Sequence, residues 1–86
     1  MMNRIIWKLR ATRQLMKLDK SAQITIRDNV ENKLPVFPDC VSVKKLTDHK
    51  YSYRLRVGNY RVFFEFDGEI RIIEIEEVKK RDEHTY

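Results

Sequence analysis

The sequence predicts an α+β domain in which an N-terminal strand and a helical hairpin pack on a small antiparallel β-sheet. Apolar residues recur at helical spacing before Pro35 and alternate with a period of two after it. The two-residue loop Gly58-Asn59 stands between two of the alternating runs, which is the signature of a hairpin. Eighty-six residues leave room for one domain, residues 1–86. A chain of this size buries only roughly 60% of the surface its unfolded form exposes, so its core must be well ordered.

Asn3 to Trp7 is short, apolar and β-prone, and reads as the first strand. From Ala11 to Leu18 the positions Leu15, Met16 and Leu18 suit one face of a short helix. Asp19 or Ser21 then caps a second helix, which runs to about Lys33. Ala22, Ile26, Val30 and Leu34 follow at four-residue steps and share one side of it. Pro35 stops the helix, and Pro35 to Asp39 forms a turn-rich connector.

Strands are expected at Val41 to Leu46, Tyr53 to Val57, Tyr60 to Phe66 and Ile70 to Val78, joined by short loops as an antiparallel meander. The Gly58-Asn59 loop sets the register of the middle pair, with Val57 facing Tyr60, Arg56 facing Arg61, Leu55 facing Val62, Arg54 facing Phe63 and Tyr53 facing Phe64. Alternation then sends Tyr53, Leu55, Val57, Tyr60, Val62 and Phe64 toward the helices. Arg54, Arg56, Arg61 and Phe63 occupy the opposite face. At Asp67-Gly68 two registers remain open. A three-residue loop pairs Glu65 with Arg71, whereas the apolar step Ile72-Ile73 suggests a bulge or burial on both sides.

Eighteen Lys and Arg against thirteen Asp and Glu give a formal charge of +5, unevenly spread. Residues 1–20 carry six cations and one acid, residues 44–61 the same, whereas residues 62–78 set Arg71 against six acids. The layout suits either two basic surfaces meeting a polyanion or a solvated surface of mixed charge. The single Cys40 forms no internal disulfide, and with only His49 and His84 the usual zinc patterns are absent, so no metal or cofactor is expected. Cys40 and His49 read as structural or incidental. No run approaches the roughly 18 apolar residues of a membrane span. Met1 to Lys8 lacks a signal-peptide core, so the expectation is an unprocessed, soluble, cytoplasmic protein without membrane contact.

Like charges facing each other across a sheet destabilise it by about 0.2–1 kcal/mol, so opposing Arg56 to Arg61 does not help folding unless an anion binds. Arg54 and Arg61 supply planar donor forks suited to phosphate oxygens, and Phe63 beside Arg54 offers a stacking surface for an unpaired base of single-stranded RNA. The alternative is a solvent face on which the arginines lie over Phe63. The last strand leads into Lys79, Lys80 and Arg81, and then into Asp82, Glu83, His84, Thr85 and Tyr86. Cleavage of RNA by its own 2′-hydroxyl needs a base, a counter-charge for the phosphorane and an acid for the leaving oxygen. His84 titrates near neutrality, whereas Tyr86 needs neighbouring cations to lower its phenol pKa.

The run Tyr51-Ser-Tyr-Arg-Leu-Arg-Val-Gly-Asn-Tyr-Arg-Val-Phe-Phe-Glu-Phe resembles the central hairpin of the RelE/ParE toxin superfamily of bacterial type II toxin–antitoxin systems. The ending Glu77-Val-Lys-Lys-Arg-Asp-Glu-His-Thr-Tyr resembles the RelE branch. The resemblance implies a RelE-like fold and a ribosome-dependent messenger-RNA endonuclease that cleaves by 2′-hydroxyl attack without metal and so inhibits translation. Carried over by position, Arg54 contacts the RNA backbone, Arg61 lies next to the scissile phosphate, Arg81 stabilises the transition state, and Tyr86 does acid–base or stacking work. Lys50, Arg56, Lys79 and Lys80 join the RNA-binding set, with His84 an alternative proton carrier. Ser52 departs from the branch, where a second lysine is usual. The implied partners are a RelB-like antitoxin and the ribosome with messenger RNA in its decoding site; operator DNA is bound only through the antitoxin complex. Two other readings stay open: a ParE-like, non-catalytic inhibitor of DNA gyrase, and a decayed toxin that only binds its antitoxin.

Overall fold

The computed structural model describes residues 2–81. Its elements run β1 (Arg4–Trp7), α1 (Leu9–Met16), α2 (Lys20–Lys33), a 3₁₀ turn (Leu34–Val36), β2 (Val43–Lys45), β3 (Tyr53–Val57), β4 (Tyr60–Asp67) and β5 (Ile72–Lys80). The five strands form one sheet in the order β1-β5-β4-β3-β2. The meander β2 to β5 is antiparallel as expected. β1, however, joins the outer edge of β5 in parallel, with Arg4 opposite Ile72 and Trp7 opposite Ile75, so the sheet is mixed. The helices lie in the crossover between these parallel neighbours, which is the connection such a pair needs.

The β3–β4 register is the one the hairpin loop dictates, from Val57 opposite Tyr60 to Tyr53 opposite Phe64. Gly58 takes a φ of +54°, where a side chain would be strained. The next turn differs from the three-residue loop: Asp67 pairs with Ile72 and Glu65 with Glu74. Asp67 Oδ1 accepts the Glu69 amide at 3.0 Å, and Arg71 closes the turn at φ +54°. The irregularity suggested at Ile72-Ile73 falls further along β5. Phe63 faces Glu77 while Phe64 faces Ile75, leaving Glu76 as the extra residue. That bulge explains why the inward positions of β5 run Ile73, Ile75, Val78 rather than every second residue.

In α2 the cap is Asp19, whose Oδ1 accepts the Ala22 amide at 2.9 Å, and Ile26, Val30 and Leu34 are fully buried at its four-residue steps. The phase of α1 differs from the expected one. It starts at Leu9, turns Ala11 and Leu15 inward, and leaves Met16 66% exposed. Leu18 still packs on the core from beyond the helix end. The core joins these residues to Leu55, Val57, Val62, Phe64, Ile73, Ile75 and Val78 of the sheet. Phe37, read as part of a turn, is instead a core residue whose ring lies edge-on to Tyr53, Phe64 and Phe66 at 5.0–5.4 Å. Asn3 precedes β1 and holds this connector, its Nδ2 donating to the carbonyls of Leu34 and Phe37 at 3.0 and 2.8 Å.

Candidate functional site

Where β3, β4 and the end of β5 meet on the face away from the helices, Arg54, Arg56, Gly58, Tyr60, Arg61 and Arg81 line a cavity of about 70 Å³. Arg54 and Arg56 alternate along β3, and Arg61 faces Arg56 from β4. β5 reaches the hairpin tip, with Lys79 opposite Arg61 and Lys80 opposite Tyr60, and the Arg81 amide then donates to the Asn59 carbonyl. That last bond brings the fourth arginine to the other three.

None of the six lining residues is acidic. Among the described residues the recorded ion pairs, Lys8–Glu74 and Lys79–Glu77, involve other cations. Arg54 Nε is buried and has no hydrogen-bond partner among the described residues. Burial, followed by the charges of Arg61, Arg56 and Arg81, pulls the Arg54 guanidinium pKa below its ordinary value. An arginine nonetheless stays charged in proteins. Among the described residues these arginines lack an acidic partner, and guanidinium forks of this kind suit phosphate oxygens, which they bind through short, charge-assisted bonds.

The remaining expected residues are placed differently. Lys79 is exposed and lies 3.8 Å from Glu77; Lys80 is exposed beside Tyr60. Lys50 is exposed, with its Nζ 5.4 Å from the centre of the Tyr51 ring, and does not line the cavity. Phe63 corrects the expectation of an open stacking surface, because it is only 5% exposed. Its ring is covered by His49, stacked at 5.1 Å and 15°, and flanked by Tyr51 at 5.6 Å. His84 and Tyr86 lie outside the described residues.

A supporting network missed in the sequence lies beneath this face. The Tyr51 hydroxyl donates to Glu77 Oε1 at 2.9 Å, and Gln14 Nε2 donates to Glu77 Oε2 at 3.3 Å. Gln14 Oε1 in turn accepts the Val78 amide at 2.7 Å, so α1 takes over the edge of β5 where β1 has ended. The three-residue step from Ile75 to Val78 was the available signal, because a bulge there turns Glu77 toward Tyr51. Burial pushes the Tyr51 phenol pKa up, helped by Glu77. Burial also pushes the Glu77 carboxyl up, but the bonds from Tyr51 and Gln14 and the charges of Lys79 and Arg10 outweigh it and leave its pKa below the ordinary value. Ionised Glu77 therefore stabilises the fold above the unfolded carboxylate pKa of about 4.3, and that contribution is lost as pH falls through the lowered folded value. Denaturant titrations at pH 7 and pH 3 are expected to show a smaller acid loss in Glu77→Gln than in the native chain. Equal losses would mean that the carboxylate charge is not what the network holds.

Among the described residues no group of three or more His, Cys, Asp or Glu side chains converges as a metal site. No helix there is long and apolar enough to cross a membrane.

The α+β plan is shared with solved RelE structures. The chain matches a structure of the toxin–antitoxin complex RelBE2 from Mycobacterium tuberculosis with a TM-score of 0.82 at 22% identity, covering 94% of this chain and 100% of that one. It matches the archaeal RelE–RelB complex from Pyrococcus horikoshii with a TM-score of 0.70 at 27% identity, covering 96% and 99%. It matches the isolated RelE toxin of E. coli with a TM-score of 0.75 at 17% identity, covering 93% and 85%. No curated protein matches in sequence. The family model described as the ParE toxin of the type II toxin–antitoxin system parDE matches residues 5–85, and the chain belongs to that toxin family, within the RelE/ParE superfamily.

Proposed function

We propose that this type II toxin is a ribosome-dependent messenger-RNA endonuclease. The observation that supports this reading is the cavity formed by Arg54, Arg56, Arg61 and Arg81, with no acid among its described lining residues and a buried Arg54 donor left open by them. In the proposed reaction the 2′-oxygen attacks the adjacent phosphorus as its proton passes to a base. The bond from phosphorus to the 5′-oxygen then breaks and that oxygen takes up a proton. The products are a 2′,3′-cyclic phosphate and a 5′-hydroxyl.

Arg61 and Arg81 are assigned to the negative charge that grows on the phosphorane, where preplaced donors are most effective. Arg54 and Arg56 hold the flanking backbone. Proton transfer is assigned to His84 or Tyr86. The ribosome supplies the in-line geometry of a strand that is flexible in solution, so free RNA is a poor substrate. The assigned partner is a RelB-like antitoxin, the kind of protein with which two relatives were solved, and its acidic helical segment is assigned to cover or distort the arginine face. Operator DNA is bound through that antitoxin.

The match to a ParE family model favours a second reading, a non-catalytic inhibitor of DNA gyrase. Induced expression followed by mapping of transcript 5′ ends separates the two. The nuclease yields cuts within translated codons, and antitoxin co-expression removes them. DNA damage with intact transcripts would overturn the nuclease reading in favour of the gyrase inhibitor.

A further inference from the structure

We infer that His49 is a nucleobase-stacking residue of the RNA-binding face, resting on the proposed nucleic-acid reading of the arginine site. The sequence pattern gives the base-stacking position to Phe63, but that ring is buried. The ring nearest solvent in this stack belongs to His49, which is exposed and lies almost parallel to Phe63 at 5.1 Å between centroids. Phe63 thus acts as a pedestal, and the outward ring that an unpaired base would meet is the imidazole.

A hydrogen bond to an anchored neighbour also fixes that ring. His49 Nδ1 accepts the Tyr51 amide at 3.0 Å, which in the neutral imidazole leaves the ring N–H on Nε2. Tyr51 itself is anchored through its hydroxyl to Glu77 and packs beside Phe63 at 5.6 Å. The imidazole is therefore held before any ligand arrives, so stacking on it requires little further ordering.

The location matches a nucleotide next to the arginine cavity. Phe63 faces Arg54 across the hairpin, and Arg61 lies two residues away on the same face of β4, about 7 Å at the rise of a strand. A phosphate held by Arg54 and Arg61 places an adjoining base within reach of the His49 ring. Aromatic stacking accepts any base, because every base has a π-face. His49 accordingly adds affinity for unpaired nucleotides without selecting a sequence.

The test compares binding of an intact 2′-O-methyl oligoribonucleotide, which lacks the attacking hydroxyl, with an abasic strand of equal length and charge. The native chain is expected to prefer the intact strand by about 5-fold to 150-fold, the range that stacking of one base provides. His49→Asn keeps a side-chain acceptor for the Tyr51 amide but removes the ring, and is expected to bind both strands alike. His49→Trp is expected to retain the preference. A preference that survives in His49→Asn, or is absent from the native chain, overturns the stacking role and leaves the arginine site standing. If Arg54→Ala and Arg61→Ala leave binding of both strands unchanged, the nucleic-acid reading itself fails, and the stacking role with it.

Discussion

Replacing Arg81 with alanine is expected to abolish growth arrest and transcript cleavage on induction while leaving the fold intact. Loss of one preorganised donor to a developing anion lowers turnover by roughly 100-fold to 1000-fold. Arg81 follows the last residue of β5, is exposed, and is tied by its backbone amide to Asn59, a bond that alanine keeps. The variant should therefore unfold within about 0.5 kcal/mol of the native chain. Arg54→Met sharpens the contrast. It removes a half-buried guanidinium, whose buried Nε has no partner among the described residues, from among three like charges, so the free toxin is expected to become more stable as its activity falls. Opposite movement of stability and activity is the mark of residues kept for a ligand. Full toxicity in Arg81→Ala would remove that residue from the reaction.

The second large effect concerns the connector between helices and sheet. Phe37→Ala is expected to cost about 3–5 kcal/mol, as for other buried phenylalanines. The ring is 7% exposed and fills the space between Tyr53, Phe64 and Phe66. A domain of this length has about 4–13 kcal/mol of total stability, so the variant should be partly or wholly unfolded at 37 °C. Val36→Ala, one residue earlier and 46% exposed, should change stability by no more than about 0.5 kcal/mol. Denaturant unfolding of the two variants checks the contrast. A Phe37→Ala chain as stable as Val36→Ala would show that the aromatic cluster tolerates the loss by collapsing.

What could be read in the sequence was what local chemistry determines. Gly58-Asn59 fixed one register, and with it the sides of Arg54, Arg56 and Arg61, because a two-residue loop leaves no freedom in pairing. Asp19 and the four-residue steps of α2 were legible for the same reason. The misses depend on partners distant in the chain. The phase of α1 is set by packing and by the edge of β5, where Gln14 meets Val78. The parallel pairing of β1 depends on which sheet edge is open, which a four-residue strand does not announce. Phe63 is on the predicted face, but the bend at Tyr51 and Ser52 that folds His49 back over it breaks the period-two pattern. The arginines were thus foreseeable, and the aromatic stack beside them was not.

The parallel contact between the first and last strands governs the order in which the toxin can assemble. Arg4 emerges well before its neighbour Ile72, with both helices and β2 to β4 made in between. Pairings of such large sequence separation form late and slowly, because their loop-closure entropy is met before the contact offers any return. Until β5 arrives, Ile73, Ile75 and Val78 are missing from the core, and Arg81 is missing from the hairpin tip. A nascent chain therefore has neither a closed sheet nor a complete arginine cluster. The topology thus makes closure of the sheet and completion of the arginine cluster a single late event, reached only once β5 is in place.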